Sequence, residues 1–252
     1  MNIEAYLERI NYRGTLTVTA ETLRNLHIAH MLTVPFENLS IHLGEPIILE
    51  DAALFNKIVK RRRGGFCYEL NGLFAYLLSS LGFQVTMLSA RVIDAGGVIG
   101  PEFDHMALMI KLEERWLVDV GFGDSFCEPL LLDERHEQVQ GDHCYRIDTD
   151  DTHLLLMQKE SKNSQYSAQY RFTLQPYQYA DYAEMCHYHQ TSPESPFTQR
   201  RICSQATPTG RITLTSKRFI KTVNGERQER ALTGEEEYLA LLREHFGIDL
   251  TS

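Results

Sequence analysis

The stretch from Cys67 to Gly82 constrains this chain more than any other. Leu70, Leu73, Phe74, Leu77, Leu78 and Leu81 recur at three- and four-residue spacing, which traces one stripe of an α-helix, and Gly82 closes it. Directly afterwards the period changes. Gln84 to Ile93 is rich in β-formers, His105 to Leu112 alternates, and Trp116 to Val120 is a short apolar run. Earlier segments read as helical: Thr22 to Leu32, stopped by Pro35, and Ala52 to Val59 behind Asp51, with Asn2 or Asn11 as caps. Further strands are predicted at His153 to Gln158, Gln169 to Leu174 and Arg211 to Thr215. A final helix is predicted from Gly234 to His245, with Glu235, Glu236 and Glu237 in its first turn. The fold class is therefore α+β, with a helical lobe over 1–83, a β lobe over 84–188 and a smaller mixed α/β lobe over 189–252.

At 252 residues, 43% hydrophobic and 23% charged, the chain can bury a substantial core. Its net charge of -9 argues against a nucleic-acid binder, which needs a Lys/Arg-rich face. The one basic run, Lys60-Arg61-Arg62-Arg63, is too short for a footprint and reads as solvated surface over Lys60 to Arg62. No stretch approaches the ~20 apolar residues of a membrane span. The N-terminal segment mixes acids with apolar residues and lacks the apolar core of a signal peptide. Five scattered cysteines, an odd number, suit a reducing cytoplasm with at least one free thiol. Cys186, His187 and His189 match no closed zinc pattern, so no metal is expected. The acidic composition without a long apolar face suggests a monomer or weak homodimer.

Cys67 stands at the start of the strongest helix, directly after Gly64-Gly65-Phe66. Helix N-termini and nearby imidazoles favour a thiolate, and the first helical N–H groups lack intrahelical partners and can donate to a developing oxyanion. The glycines permit a tight turn and a close approach by substrate. The plain alternative is a cysteine packed as a small hydrophobe. His105 opens an apolar strand at the end of a glycine-rich loop, a place from which a scaffold presents a side chain. Asp119 interrupts the run Trp116-Leu117-Val118-Asp119-Val120, and an acid among buried neighbours needs a partner such as a histidine N–H. A turn-forming acid ahead of Gly121 is the competing reading. A regular two-residue turn at Glu113-Glu114 would put His105 and Asp119 on opposite faces of a hairpin. Pairing the two therefore predicts an odd loop, a bulge, or a strand that ends before Asp119.

Four segments resemble the arylamine N-acetyltransferase family. Arg63-Gly64-Gly65-Phe66-Cys67-Tyr68-Glu69-Leu70-Asn71 is similar to the signature around that family's active cysteine, and Val118-Asp119-Val120-Gly121-Phe122-Gly123 to the segment of its triad acid. Pro35-Phe36-Glu37-Asn38-Leu39 resembles its N-terminal motif, and Gln190-Thr191-Ser192-Pro193-Glu194-Ser195-Pro196-Phe197 a stretch of its third domain. The resemblance implies a helical bundle, a β-barrel-like lobe and an α/β lid around a Cys-His-Asp core like that of cysteine proteases. It implies Cys67 as nucleophile, His105 as base and Asp119 as orienter. Acetyl-CoA would be a cosubstrate rather than a tightly bound cofactor, and a small aromatic amine or hydrazine would be the acceptor. Phe122, Phe36 and Phe66 are implied as walls of the acceptor pocket and Thr213 as a coenzyme contact. Arg63, Glu37 and Asn38 read as scaffold, with a buried Arg63–Glu37 pair holding the first lobe against the cysteine turn. The chain stops soon after Phe246-Gly247-Ile248-Asp249-Leu250, where several relatives continue over the cleft, so a more open cleft is expected. The rival readings are an amide synthase acting on a larger acyl thioester, a Cys-His-Asp hydrolase or protease, and a non-catalytic binding module.

Overall fold

The computed structural model describes residues 2–160 and 164–250. The chain begins with α1 (Ile3–Arg9), whose first turn is capped by the Asn2 side chain accepting the Ala5 N–H at 3.1 Å. Asn11, the other cap candidate, lies beyond that helix in a left-handed conformation. Then come α2 (Ala20–Thr33), β1 (Phe36–Glu37), α3 (Leu39–Leu43) and α4 (Asp51–Leu54). The helix expected over Ala52 to Val59 keeps its place but changes its winding. From Phe55 to Lys60 it adopts the wider π geometry, and Lys57 points into the protein there. After it comes α5 (Cys67–Ser80), whose apolar face is buried along its whole length.

Eight strands follow: β2 (Gln84–Val92), β3 (His105–Lys111), β4 (Arg115–Val118), β5 (Leu130–Leu131), β6 (Gln138–Gln140), β7 (His143–Asp150), β8 (His153–Lys159) and β9 (Ser167–Phe172). They form one antiparallel sheet in the order β5-β4-β3-β2-β9-β8-β7-β6, with β5 and β6 at its edges. Side chains join those edges where no ladder does. The Gln138 amide accepts the Leu131 N–H at 2.8 Å and donates to the Leu131 carbonyl at 3.0 Å. Gln140 accepts from the Cys127 and Glu128 N–H groups and donates to the Glu128 carbonyl. These amides satisfy backbone groups that an edge would leave open, and they nearly close the sheet into a barrel.

The alternation along β3 divides the core in two. Met106, Leu108 and Ile110 join the apolar cluster under the helices, while Ala107 and Met109 face the barrel interior with Leu117, Tyr170 and Phe172. A third cluster lies between α8 (Glu235–Phe246) and a five-stranded sheet. Ahead of that sheet run α6 (Ala183–Thr191) and α7 (Pro196–Gln199). Its strands β10 (Ile202–Thr207), β11 (Gly210–Thr215), β12 (Arg218–Val223) and β13 (Glu226–Ala231) follow in order, and β1 pairs outside β10.

The turn that delivers Cys67 is held between two buried ion pairs. Arg63, almost fully enclosed, reaches Glu37 through Nε at 3.0 Å and Nη2 at 3.2 Å, and Lys57 reaches Glu69 at 2.7 Å. Asn38 donates to the Phe197 and Arg200 carbonyls and accepts the Ile202 N–H, tying β1 to the last third of the chain. Arg63, Glu37 and Asn38 make the scaffold contacts that the sequence reading expects of them. Gly64 and Gly65 serve that scaffold too. A Cβ on Gly64 would sit 2.0 Å from the Pro35 carbonyl oxygen, and one on Gly65 would meet Glu69 at 2.8 Å, so the close approach is by the protein's own atoms. Lys60, Arg61 and Arg62 are exposed, as a solvated run should be.

Removing one partner of a buried pair strands the other charge. Glu37→Ala is expected to cost about 3–5 kcal/mol in chemical denaturation. Arg24→Ala, which opens the surface pair with Glu128, is expected to cost about 1 kcal/mol or less. Equal losses for the two variants would show that the Arg63–Glu37 pair does not hold the cysteine turn.

Candidate active site

Asp119 has no exposure, and Cys67 and His105 have 3% each. The hairpin of β3 and β4 turns through Leu112, Glu113 and Glu114, because Lys111 pairs with Arg115. With that odd loop, the register continued by one step would set Asp119 opposite Ala107, on the face His105 shares. The ladder also ends at Leu108 and Val118, so the chain is free to turn at Asp119. The carboxylate meets the imidazole directly, Asp119 Oδ2 to His105 Nε2 at 2.6 Å.

Ending β4 at Val118 has a second effect. The Met106 N–H and carbonyl on that side of β3 have no ladder partner. The N–H faces the Cys67 thiol and favours its thiolate, and the carbonyl accepts from Asn71 Nδ2 at 2.7 Å. Cys67, the first residue of α5, is thereby held beside the strand residue that follows His105. Asn71, one turn further along α5, also donates to Asp119 Oδ1 at 2.9 Å and accepts the Val120 N–H at 2.9 Å. Its spacing of four from Cys67 puts both on one helix face, a signal the sequence carries. Gly121 lets this loop close onto the helix, since a Cβ there would lie 2.7 Å from both Cys67 Cα and Asn71 Nδ2.

The two acidic groups of the site shift in opposite senses. Burial pushes the Cys67 thiol well above its ordinary range, the Met106 N–H pulls it back, and the negative charge of Asp119 raises it again. Left to itself this thiol stays protonated at neutral pH. Burial opposes the Asp119 charge as well, but His105 and the hydrogen bonds from His105, Asn71 and the Gly121 N–H outweigh it, and its carboxyl lies below the usual carboxylate range. The site therefore holds a neutral thiol and a fixed anion with an imidazole on the anion.

The other expected residues lie at different distances from this centre. Phe122 packs edge-on against His105 with ring centroids 5.1 Å apart, and against Tyr170 at 5.1 Å. It lines a cleft of about 380 Å³ whose other walls include Asp124, Gln158, Lys159 and Gln169. Phe36 borders a smaller hollow with Gly123, Ser204 and Arg211. Phe66 is fully enclosed, packed edge-on against Tyr68 and Phe197. Thr213 lies on β11, its hydroxyl 2.8 Å from that of Ser204, and Ser204 in turn accepts from Arg211. Arg211 reaches Asp124 at 2.9 Å, linking this strand to the loop after Gly123. Cys186 and His189 have separate partners: the thiol accepts from Gln190, and His189 lies between Ser195 and Asp104. Among the described residues no disulfide joins any of the five cysteines, and no helix is long and apolar enough to cross a membrane. His27, Asn71 and Tyr170 surround the His105–Asp119 pair without having been singled out in the sequence.

Comparison with known proteins agrees with this architecture. A family model described as N-acetyltransferase matches residues 19–252. The chain is 35% identical over 280 aligned residues to arylamine N-acetyltransferase 2 of Mus musculus, covering 99% of this chain and 95% of that one. It is 30% identical to proansamycin X synthase of Amycolatopsis mediterranei, over 96% of this chain and 95% of that one. The structure of Mycobacterium marinum arylamine N-acetyltransferase in complex with CoA superposes with a TM-score of 0.92 at 30% identity, covering 99% of this chain and 94% of that one. Fold and sequence together define an acyltransferase. The chain belongs to the arylamine N-acetyltransferase family.

Because the atoms facing Gly121 include backbone and a fixed amide, they cannot move aside. Gly121→Ala is expected to lose about 1–3 kcal/mol of stability, read by urea denaturation. A variant as stable as the parent would mean that the loop after Asp119 does not depend on this approach.

Proposed function

We propose that the protein transfers acetyl from acetyl-CoA to the nitrogen of arylamines and arylhydrazines through an acetyl-Cys67 intermediate. The observation that carries this reading is the buried His105–Asp119 pair, 2.6 Å apart, set beside a thiol at a helix start. His105 takes the Cys67 proton, Asp119 stabilises the resulting imidazolium, and the thiolate attacks the thioester carbonyl. The carbon–sulfur bond to coenzyme A breaks and His105 returns the proton to the departing thiolate, leaving acetyl on Sγ. The amine then attacks this thioester, passes a proton to His105, and the Cys67 thiolate leaves. The Cys67 N–H, at the helix start, donates to the charge that develops on the carbonyl oxygen in this reading.

Phe122 forms the aromatic wall of the acceptor site in this reading, and Phe36 and Phe66 are assigned to the packing around Phe197 that supports it. Thr213, beside Arg211 and Ser204, is assigned to the coenzyme side. Support for the donor comes from the M. marinum relative, which binds CoA on the same fold. The lobes 1–83, 84–188 and 189–252 are proposed as the units that meet at the cleft, with the apolar cluster under the helices shared between them. A second reading, joining a larger acyl group to an amine, rests on the similarity to proansamycin X synthase.

Mixing the protein with acetyl-CoA and no amine should give one acetyl adduct by intact mass. It should map to Cys67 and discharge on an added arylamine. Absence of that adduct, with the thiol free, sinks the acetyl reading, and adducts only from longer acyl thioesters would support the second. The base is tested separately. Since burial raises the Cys67 thiol, His105→Ala should alkylate at least about tenfold more slowly near neutral pH and recover only as pH rises. An unchanged profile would remove His105 from that role.

A further inference from the structure

His27 lies on α2 and is fully buried. Its Nδ1 is 2.8 Å from the Cys127 carbonyl, and its Nε2 is 3.3 Å from the Asp119 nitrogen. A carbonyl only accepts and an amide N–H only donates. The two partners therefore demand the same form of the ring: proton on Nδ1, lone pair on Nε2. The imidazole stacks on Phe126 with centroids 5.7 Å apart and planes 16° apart, and meets the edge of Phe74 at 6.1 Å. Burial, against the opposing pull of the Cys127 carbonyl and Asp119, brings its pKa down to about 4. A protonated ring would turn an Nε2–H against the Asp119 N–H.

Asp119 needs such an acceptor. It is the first residue past the end of β4, so the ladder offers its N–H nothing. The next two N–H groups are taken by Asn71 and by Asp119's own Oδ1. His27 completes the set, and it does so at the residue whose carboxylate holds His105. The Cys127 end is anchored too, because the Cys127 N–H donates to Gln140 across the barrel seam.

We propose that His27 is a positioning residue for this reaction: as a neutral Nδ1–H imidazole it accepts the Asp119 N–H and fixes the acid that orients His105. This rests on the Cys67-His105-Asp119 reading. The test is the pH profile of Cys67 alkylation by iodoacetamide, followed by mass mapping, in the parent protein, Asp119→Asn, His27→Phe and His27→Gln. His27→Phe keeps the ring packing and loses both hydrogen bonds. Near neutral pH it should slow alkylation roughly tenfold and move the profile to higher pH, as Asp119→Asn should. His27→Gln, whose amide can accept the same N–H, should restore most of the rate, even with both variants similarly lowered in Tm. A parent-like profile in His27→Phe alongside a shifted one in Asp119→Asn overturns the proposal and leaves the triad standing. A parent-like profile in Asp119→Asn as well overturns the triad reading and this proposal with it. Should His27→Phe not fold, imidazole 15N shifts of the unmodified protein decide: Nδ1–H at His27 supports the proposal, and Nε2–H overturns it.

Discussion

A carboxylate with no access to water has to be compensated by its surroundings, and much of this structure is organised around doing so for Asp119. Its two oxygens receive His105, Asn71 and the Gly121 N–H. Its backbone N–H goes to His27 and the next one to Asn71. These partners come from α2, α5, β3 and the loop itself, so the acid can be buried only when the helices and the barrel are docked together. The same docking sets Cys67 beside Met106, one residue from the imidazole. Burial of the acid and assembly of the site are one event.

The second requirement is a rigid delivery of Cys67. Two buried ion pairs bracket the turn, Arg63–Glu37 before it and Lys57–Glu69 after it. Glu69 also accepts the Phe66 N–H, which caps the start of α5 from within its own first turn. Such pairs contribute little net stability against a well-packed apolar alternative, because desolvating the charges costs about as much as their attraction returns. What they supply is direction. The Arg63 fork fits only one orientation of Glu37, and that orientation sets β1 against Gly65.

A barrel closed by glutamine side chains adds a third element. The amides of Gln138 and Gln140 stand in for missing ladder bonds between β5 and β6. They leave the Cys127 carbonyl free for His27, so the seam is tied to the acid through a single imidazole. On the other side, Phe122 and Tyr170 pack on His105, and Phe122 also lines the polar cleft. The His105–Asp119 hydrogen bond thus lies among packed rings, where it is stronger than it would be in water.

Much of this was legible in the sequence. The stripe after Cys67, the strands at His105 and Trp116, and the last helix are set by local period, which depends on nearest neighbours along the chain. The requirement for an odd loop, a bulge or a strand ending before Asp119 followed from strand parity alone, and the three-residue turn and the end of β4 at Val118 meet it. The charged hairpin of β12 and β13 escaped because β13 has no apolar alternation, although Asn224-Gly225, both at positive φ, marks its two-residue turn. The glutamine seam, the π turn at Phe55–Lys60 and the role of His27 could not be read, for each depends on partners far away in the chain. Sequence by itself determined the elements and the residue types gathered at the candidate site, because periodicity and motif are local. Only the tertiary structure decided which nitrogen of which histidine faces which partner, because in a buried site a proton's position is set by the groups that surround it.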